Sequence, residues 1–282
     1  MNDPGAIDRD GNDQSGSSAE HWSTAIIDTA PGIIRLRGYP IEQVINRCSY
    51  AATVWLMVTG ELPNRWQERL LEAALVAGVD HGPQAPSIAA ARMAATCGVG
   101  LSQAVATGVN LLGDIHGGAG EACMRMLAAL LDAHPDPDDS VAEITAAFGR
   151  YRAAVRYVPG FGHRMHRYDP RRDPLMDLVR SAQVAGVVSG RYLQVAEIVE
   201  AELHRGAGRS IPMNIDGATA VVFSELGLAP ELGKGLFALS RSVGLLAHAY
   251  EQSQESARIK GPLPAGVGAR YTGHPPREVT ER

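Results

Sequence analysis

Residues 232–250 read LGKGLFALSRSVGLLAHAY. Leu232, Leu236, Leu239, Val243, Leu246 and Tyr250 recur at spacings of three and four, which places them on one face of an α-helix as an apolar stripe. Phe237, Arg241, Leu245 and His248 form a second, mixed face. An arginine on an otherwise apolar face is costly to bury alone, so Arg241 is expected to meet an anion. Helical texture of this kind recurs upstream. It predicts helices over 41–59, 64–79, 87–96, 101–112, 140–156, 174–188 and 190–206. A further helix follows Gly118, with Ala122, Met126, Leu127, Leu130 and Leu131 on one face. Gly60 and Pro63 end the first of these helices, and Gly82-Pro83 forces a loop after the second. Two β-branched pieces in TAIIDTAPGIIRLRGYP flank the turn signal Pro31-Gly32, which predicts one small hairpin. The reading is an all-α fold with a small N-terminal β-hairpin. Residues 1–20 are rich in Gly, Ser, Asp and Asn and read as a disordered tail. The folded domain is then 21–282, with a small helical subdomain around 120–215.

A chain of 282 residues has room for a sizeable core. Aromatics are only 5% while Ala and Gly are plentiful, and small residues let helices pack closely. The net charge of −5 leaves no basic excess to follow a phosphate backbone, which argues against nucleic acid as a partner. Cys48, Cys97 and Cys123 are odd in number, far apart and set among apolar neighbours. They read as buried small hydrophobes in a reducing compartment. The polar N-terminus lacks the apolar run of a signal peptide, and no stretch is long enough for a membrane span. A cytoplasmic protein without membrane contact is expected.

Four polar loops between helices carry residues capable of chemistry. GDIHGGAGEA holds His116, followed by two glycines and a helix start, where backbone approaches a ligand closely and negative charge is favoured. VPGFGHRMHRYDPRR holds His163, His166, Asp169 and Arg171 within a run too dense in Pro and Gly for regular structure. Its arginines suit a carboxylate or phosphate. His163 and His166 are three apart, a zinc-like spacing, but no thiol or carboxylate at helical spacing completes a ligand set, so no metal is expected. IPMNIDGATAVVF holds Asp216, and DHGP holds His81. Taken singly, each also has a plain structural reading: a turn at His116 and His81, a solvated basic loop, a helix cap at Asp216.

Their order along the chain resembles the citrate synthase family. GIIRLRGYPIEQV followed by VTGELP is similar to the family's N-terminal hairpin and first helix, and GDIHGGAGEA to its first catalytic-histidine loop. GFGHRMHRYDPR resembles the second such loop, NIDGATAVV the catalytic-aspartate segment, and LFALSRSVGLLAHAYEQ the long C-terminal helix. Arg270-Tyr271-Thr272-Gly273 resembles the tail. Departures point within the family. Only 16 residues separate Pro63 from Asp80, where citrate synthases carry a much longer helical stretch. DHGP is closer to citryl-CoA lyases and the lyase module of ATP-citrate lyase than to the synthases' DHE. The loop after His163 is one residue shorter than usual. The family's Arg-Pro pair reads Gly261-Pro262, with Arg258, Lys260 and Arg270 the nearby cations.

The resemblance implies a homodimeric lyase that cleaves or forms the carbon–carbon bond between an acetyl-CoA unit and oxaloacetate or a related 2-oxoacid. It implies His116, His163 and Asp216 as catalytic groups, and His81, Arg171 and Arg241 as holders of the dicarboxylate. Gly160, Gly162 and Arg164 are expected at the CoA end. CoA arrives as part of the substrate, with no tightly bound cofactor. The alternatives are a citrate synthase or 2-methylcitrate synthase-type acyltransferase that releases CoA, and a non-catalytic dimer that binds CoA esters. A metal-dependent hydrolase around His163 and His166 is the remaining possibility.

Overall fold

The computed structural model describes residues 22–133, 141–163, 167–207, 210–264 and 266–279. The expected tail at 1–20 and the acidic loop 134–139 lie outside these residues, as do Arg164 and His166. By contacts the chain divides into two compact units, up to Glu68 and from Arg69 onward.

The first unit opens with strands β1 (Ile27–Ala30), β2 (Ile33–Leu36) and β3 (Tyr39–Pro40) in an antiparallel sheet of order β1-β2-β3. Pro31-Gly32 turns between β1 and β2, pairing Ala30 with Ile33. The expected hairpin gains a third strand because a second two-residue turn, Arg37-Gly38, pairs Leu36 with Tyr39. Both turn residues have positive φ, 49° and 86°, which matches the twist a tight hairpin needs. Arginine is an unusual residue there. Its guanidinium donates to the carbonyls of Met57 and Ala25, which holds the strained turn in place. The single helix expected over 41–59 is two, α1 (Ile41–Arg47) and α2 (Tyr50–Thr59). Ser49 breaks the run because its side chain accepts the Ala52 amide as an N-cap, 3.0 Å away. Gly60 ends α2 in a left-handed conformation. Asn64 then caps α3 (Arg65–Gly78), accepting from the Trp66 and Gln67 amides while Gln67 accepts from the Asn64 amide.

The second unit contains α4 (Pro86–Thr96), α5 (Leu101–Val109), α6 (Ala119–Asp132), α7 (Val141–Ala154), α8 (Arg172–Val184), α9 (Arg191–Ala207), α10 (Ile215–Glu225) and α11 (Pro230–Ser253). α10 packs against α6, α8 and α9, and all its residues but Asp216 are buried. Such a helix must be apolar on every side, as ATAVVF is. Its one buried acid, Glu225, accepts from the Gly190 and Leu193 amides and the Ser189 hydroxyl, closing the N-terminus of α9. On α6, Met126, Leu127, Leu130 and Leu131 are buried as expected, joined by Cys123 and Met124, whereas Ala122 is exposed.

α4, α5 and α11 pack together around Ala85, Ile88, Ala91 and Leu245, with Val105 and Val109 against them. The approach is close because Gly108 faces Leu245 and the Ser87 carbonyl, where a Cβ would lie 2.5 and 2.9 Å from them. This corrects the reading of α11. Its buried residues are Gly233, Leu236, Ser240, Arg241, Gly244, Leu245, Ala249 and Gln252. The mixed face is therefore the inner one, and of the apolar stripe Val243, Leu246 and Tyr250 are exposed. Of the cysteines, Cys123 alone is buried; Cys97 is exposed and Cys48 intermediate. No helix among the described residues is long and apolar enough to cross a membrane.

Candidate active site

His116 lies in the loop between α5 and α6. The His116 carbonyl accepts the Gly113 amide at 2.9 Å, and Gly117 turns the chain at φ 101°. A Cβ on Gly118 would lie 2.7 Å from the Asp114 backbone, so this tight loop requires glycine. The His116 Nε2 is 2.9 Å from Ser87 Oγ and accepts the Ser87 amide at 3.2 Å. A backbone N–H can only donate, so the ring proton of the neutral form sits on Nδ1. Burial, then the charges of Arg241 and His81, hold this imidazole below the ordinary histidine range. At neutral pH, His116 is an uncharged donor.

His81 follows Asp80 in the loop after α3, where Gly82 has φ 78°. Its ring meets that of His163 edge to face, with centroids 5.5 Å apart. Burial lowers its basicity, and the charges of Arg171 and Arg241 add to this. Arg171 is held by the fully buried Asp169: Nε donates to Oδ1 at 2.9 Å and Nη2 to Oδ2 at 2.8 Å. Burial pushes the Asp169 carboxyl up, but these bonds and the Arg171 charge outweigh it and leave it below the usual range.

Arg241 is 3% exposed. Its Nε donates to the Gly78 carbonyl at 3.1 Å, and its guanidinium sits 4.7 Å over the Phe237 ring. Among the described residues no carboxylate comes within ion-pair distance, so the anion expected beside it is not a side chain of this region. Burial lowers its pKa despite the charges of Asp80 and Asp216.

Asp216 stands in the first turn of α10. Asn214 caps that helix by accepting the Asp216 amide at 2.9 Å and the Gly217 amide at 3.2 Å. The same side chain donates Nδ2 to the Gly162 carbonyl at 2.8 Å. The Gly162 amide donates to Pro212 and the Asn214 amide to Gly160. Gly160 and Gly217 touch here: a Cβ on Gly160 would lie 2.7 Å from Cys123 Sγ and 2.8 Å from Gly217 Cα. The histidine loop and the aspartate helix are thus clipped together by backbone. Burial pushes the pKa of the Asp216 carboxyl up from its ordinary value. Arg241 and Arg171 pull it down without reversing the shift, and Asp169 adds to the rise.

Arg241 thus acts on His81, His116 and Asp216, Arg171 acts on His81 and Asp216, and His163 joins the group through its contact with the His81 ring. Gly160 serves as a close-packed crossing. Gly162 lines a cavity of about 270 Å³ that opens beside His163, with Arg152, Arg156, Tyr157, Phe161 and Ser210 in its wall. Ser87, Asn214, Arg152 and Arg156 were not apparent as site residues in the sequence. An Asn two residues before an Asp is the one signal that pointed to any of them, through its capping chemistry. Among the described residues no group of three metal-ligating side chains occurs. Arg258, Lys260 and Arg270 are exposed in the tail after α11.

The family model of the citrate synthase C-terminal domain matches residues 63–262. The citrate synthase of Haloferax volcanii is 29% identical over 246 residues, 86% of this chain and 60% of that protein. The 2-methylcitrate synthase of Mycobacterium tuberculosis is 29% identical over 279 residues, 97% of this chain and 66% of that one. The structure of citryl-CoA lyase from Hydrogenobacter thermophilus superposes with a TM-score of 0.80 at 35% identity, covering 92% of this chain and 98% of that one. The mostly helical fold with a small three-stranded sheet is thus one that a solved citryl-CoA lyase shares. The chain belongs to the citrate synthase family. It spans about three fifths of the length of the Haloferax citrate synthase.

Proposed function

We propose that this chain is a citryl-CoA lyase-like enzyme, cleaving citryl-CoA or a close relative into an acyl-CoA and a 2-oxoacid. The observation that carries the reading is a carboxyl group whose pKa burial raises, Asp216, beside Arg241, which also faces a neutral imidazole whose other nitrogen is a donor, His116. In the cleavage direction His163 takes the proton of the substrate hydroxyl, and that oxygen becomes a ketone. The carbon–carbon bond breaks, and its electron pair passes through the enolate to the thioester oxygen. His116 donates a hydrogen bond to that oxygen from Nδ1. Asp216 delivers its proton to the enolate carbon. In the reverse Claisen condensation each proton moves the other way. Side chains handle every proton, so the reaction as written calls for no metal or redox cofactor.

His81, Arg171 and Arg241 hold the dicarboxylate. Arg241 supports this, being a buried cation without a carboxylate of its own. Arg171 is preset by Asp169 so that its fork is already oriented. The cavity beside His163, with Gly162 and the guanidinium groups of Arg152 and Arg156, takes the phosphate-bearing CoA end. The exposed stripe Val243, Leu246 and Tyr250 on α11 supports a homodimer, and the unpaired thiols suit a cytoplasmic setting.

The second reading, a synthase that condenses acyl-CoA with a 2-oxoacid and hydrolyses the thioester, is favoured by the citrate and 2-methylcitrate synthases among its relatives. The purified protein is offered citryl-CoA, and separately acetyl-CoA with oxaloacetate, while thioester and free thiol are followed. Cleavage of citryl-CoA without free thiol is expected. Free CoA from the second pair establishes the synthase reading instead. Silence with both substrates in folded protein defeats both and leaves a CoA-ester-binding dimer.

A further inference from the structure

The inner face of α11 grips the segment that carries His81 at every turn. The Ser240 hydroxyl donates to the Leu75 carbonyl, and Arg241 Nε donates to the Gly78 carbonyl. Gly244 lies so close that a Cβ would overlap the Val79 carbonyl oxygen and stand 3.1 Å from Asp80 Oδ1. One turn further on, His248 Nε2 is 3.2 Å from that same oxygen. Asp80 Oδ2 accepts the Gly82 amide at 3.1 Å. Oδ1 is shielded from solvent and makes no well-aligned hydrogen bond among the described residues, so the imidazole of His248, at ion-pair distance, is the polar group that faces it. The far side of the His248 ring is fixed as well: Nδ1 lies 3.2 Å from Arg92 Nη1. A guanidinium has donors only, so Nδ1 accepts and the ring proton sits on Nε2, the nitrogen nearer Asp80. Arg92 is itself anchored by Gln252 Oε1 at 3.0 Å and by Glu251 and Glu255.

We propose that His248 is a positioning residue for substrate binding: its Nε2–H holds Asp80, and through it the backbone that presents His81, with Arg92 fixing the tautomer. His81 is the adjacent residue, and its ring packs on that of His163, so a displaced Asp80 moves the dicarboxylate end of the site. The cavity at the proposed CoA end has no wall from this loop. The proposal rests on the reading of His81 as a holder of the oxoacid.

The test titrates oxaloacetate and acetyl-CoA by calorimetry into the unaltered chain and into His248→Ala, His248→Gln, His248→Asn and Glu231→Gln. Losing a donor to a buried carboxylate oxygen should weaken oxaloacetate about tenfold in the alanine variant and leave acetyl-CoA within about twofold. Glutamine carries an N–H at the reach of Nε2 and should restore most of the loss. Asparagine keeps polarity without reach, so it should behave as alanine does and serves if the alanine variant does not fold. Glu231→Gln alters only an exposed partner of Arg125 at the far end of α11 and should change neither affinity. Unchanged oxaloacetate binding in both His248→Ala and His248→Asn, or equal weakening of both ligands, overturns the proposal. The His81 ring resonances of ligand-free protein give an independent readout. They should shift in His248→Asn and not in Glu231→Gln, and no shift in His248→Asn overturns the proposal. An unaltered chain that binds neither ligand defeats the functional reading, while these resonances still decide the positioning.

Discussion

At Asp216 two physical effects compete, and burial wins over the pull of Arg241 and Arg171. A proton held there suits delivery to an enolate, and the same shift gives a test of direction. In cleavage Asp216 works protonated, so the pH profile of citryl-CoA cleavage should fall as pH rises through its raised pKa. Condensation needs the carboxylate and should rise across the same range. Asp216→Asn should lower either rate by about 10²–10⁴-fold, the usual contribution of a placed acid or base. It should also raise the melting temperature above pH 5. The folded pKa lies above the unfolded value, so the native form binds more protons than the unfolded one and loses stability as pH climbs past that unfolded value. Asparagine removes that dependence. Melting curves at pH 4 and pH 8 check this: a gain at pH 8 that shrinks at pH 4 is expected. Full activity in the asparagine variant would contradict the mechanism. His116, His163 and Asp216 were legible in the sequence through the loops around them. Ser87 was not, because it contributes chiefly a backbone amide, which every residue type except proline possesses.

Among the elements, α11 shows what periodicity can and cannot say. That residues 232–250 form a helix was plain from spacing alone, since apolar residues at three and four define a helix in any surroundings. Which face turns inward was not. The inner face carries glycine, serine, arginine and histidine because α3, α4 and the Asp80 loop come close enough to need small residues and carbonyl partners. Leu245 is fully buried between α4 and α5. Leu245→Ala should therefore cost about 2–5 kcal/mol in chemical denaturation, as buried leucine truncations do. A loss below 1 kcal/mol would show that this packing is looser than described. The third strand and the α1–α2 break were hidden for a related reason. Each depends on one side chain bonding a backbone group, Arg37 to Met57 and Ser49 to Ala52.

For the whole molecule, the mostly helical architecture could be read from texture, and the family from the order of its motifs. Assembly could not, because an exposed apolar stripe and a buried one look alike in sequence. If Val243, Leu246 and Tyr250 meet a second copy, light scattering should give twice the chain mass. Val243→Asp with Leu246→Asp should reduce it to one, since buried unpaired charges are strongly unfavourable. A monomer before substitution would refute the dimer. The helix that bears Asp216 is enclosed on all sides, while His81 and His116 ride on surface turns. Amides deep in α10 should exchange with deuterium only when the whole unit opens, and those near residues 81 and 116 far sooner. On the proposed mechanism, a preference for a different oxoacid can then evolve by rewriting the turns, while the helix that bears Asp216 stays as it is.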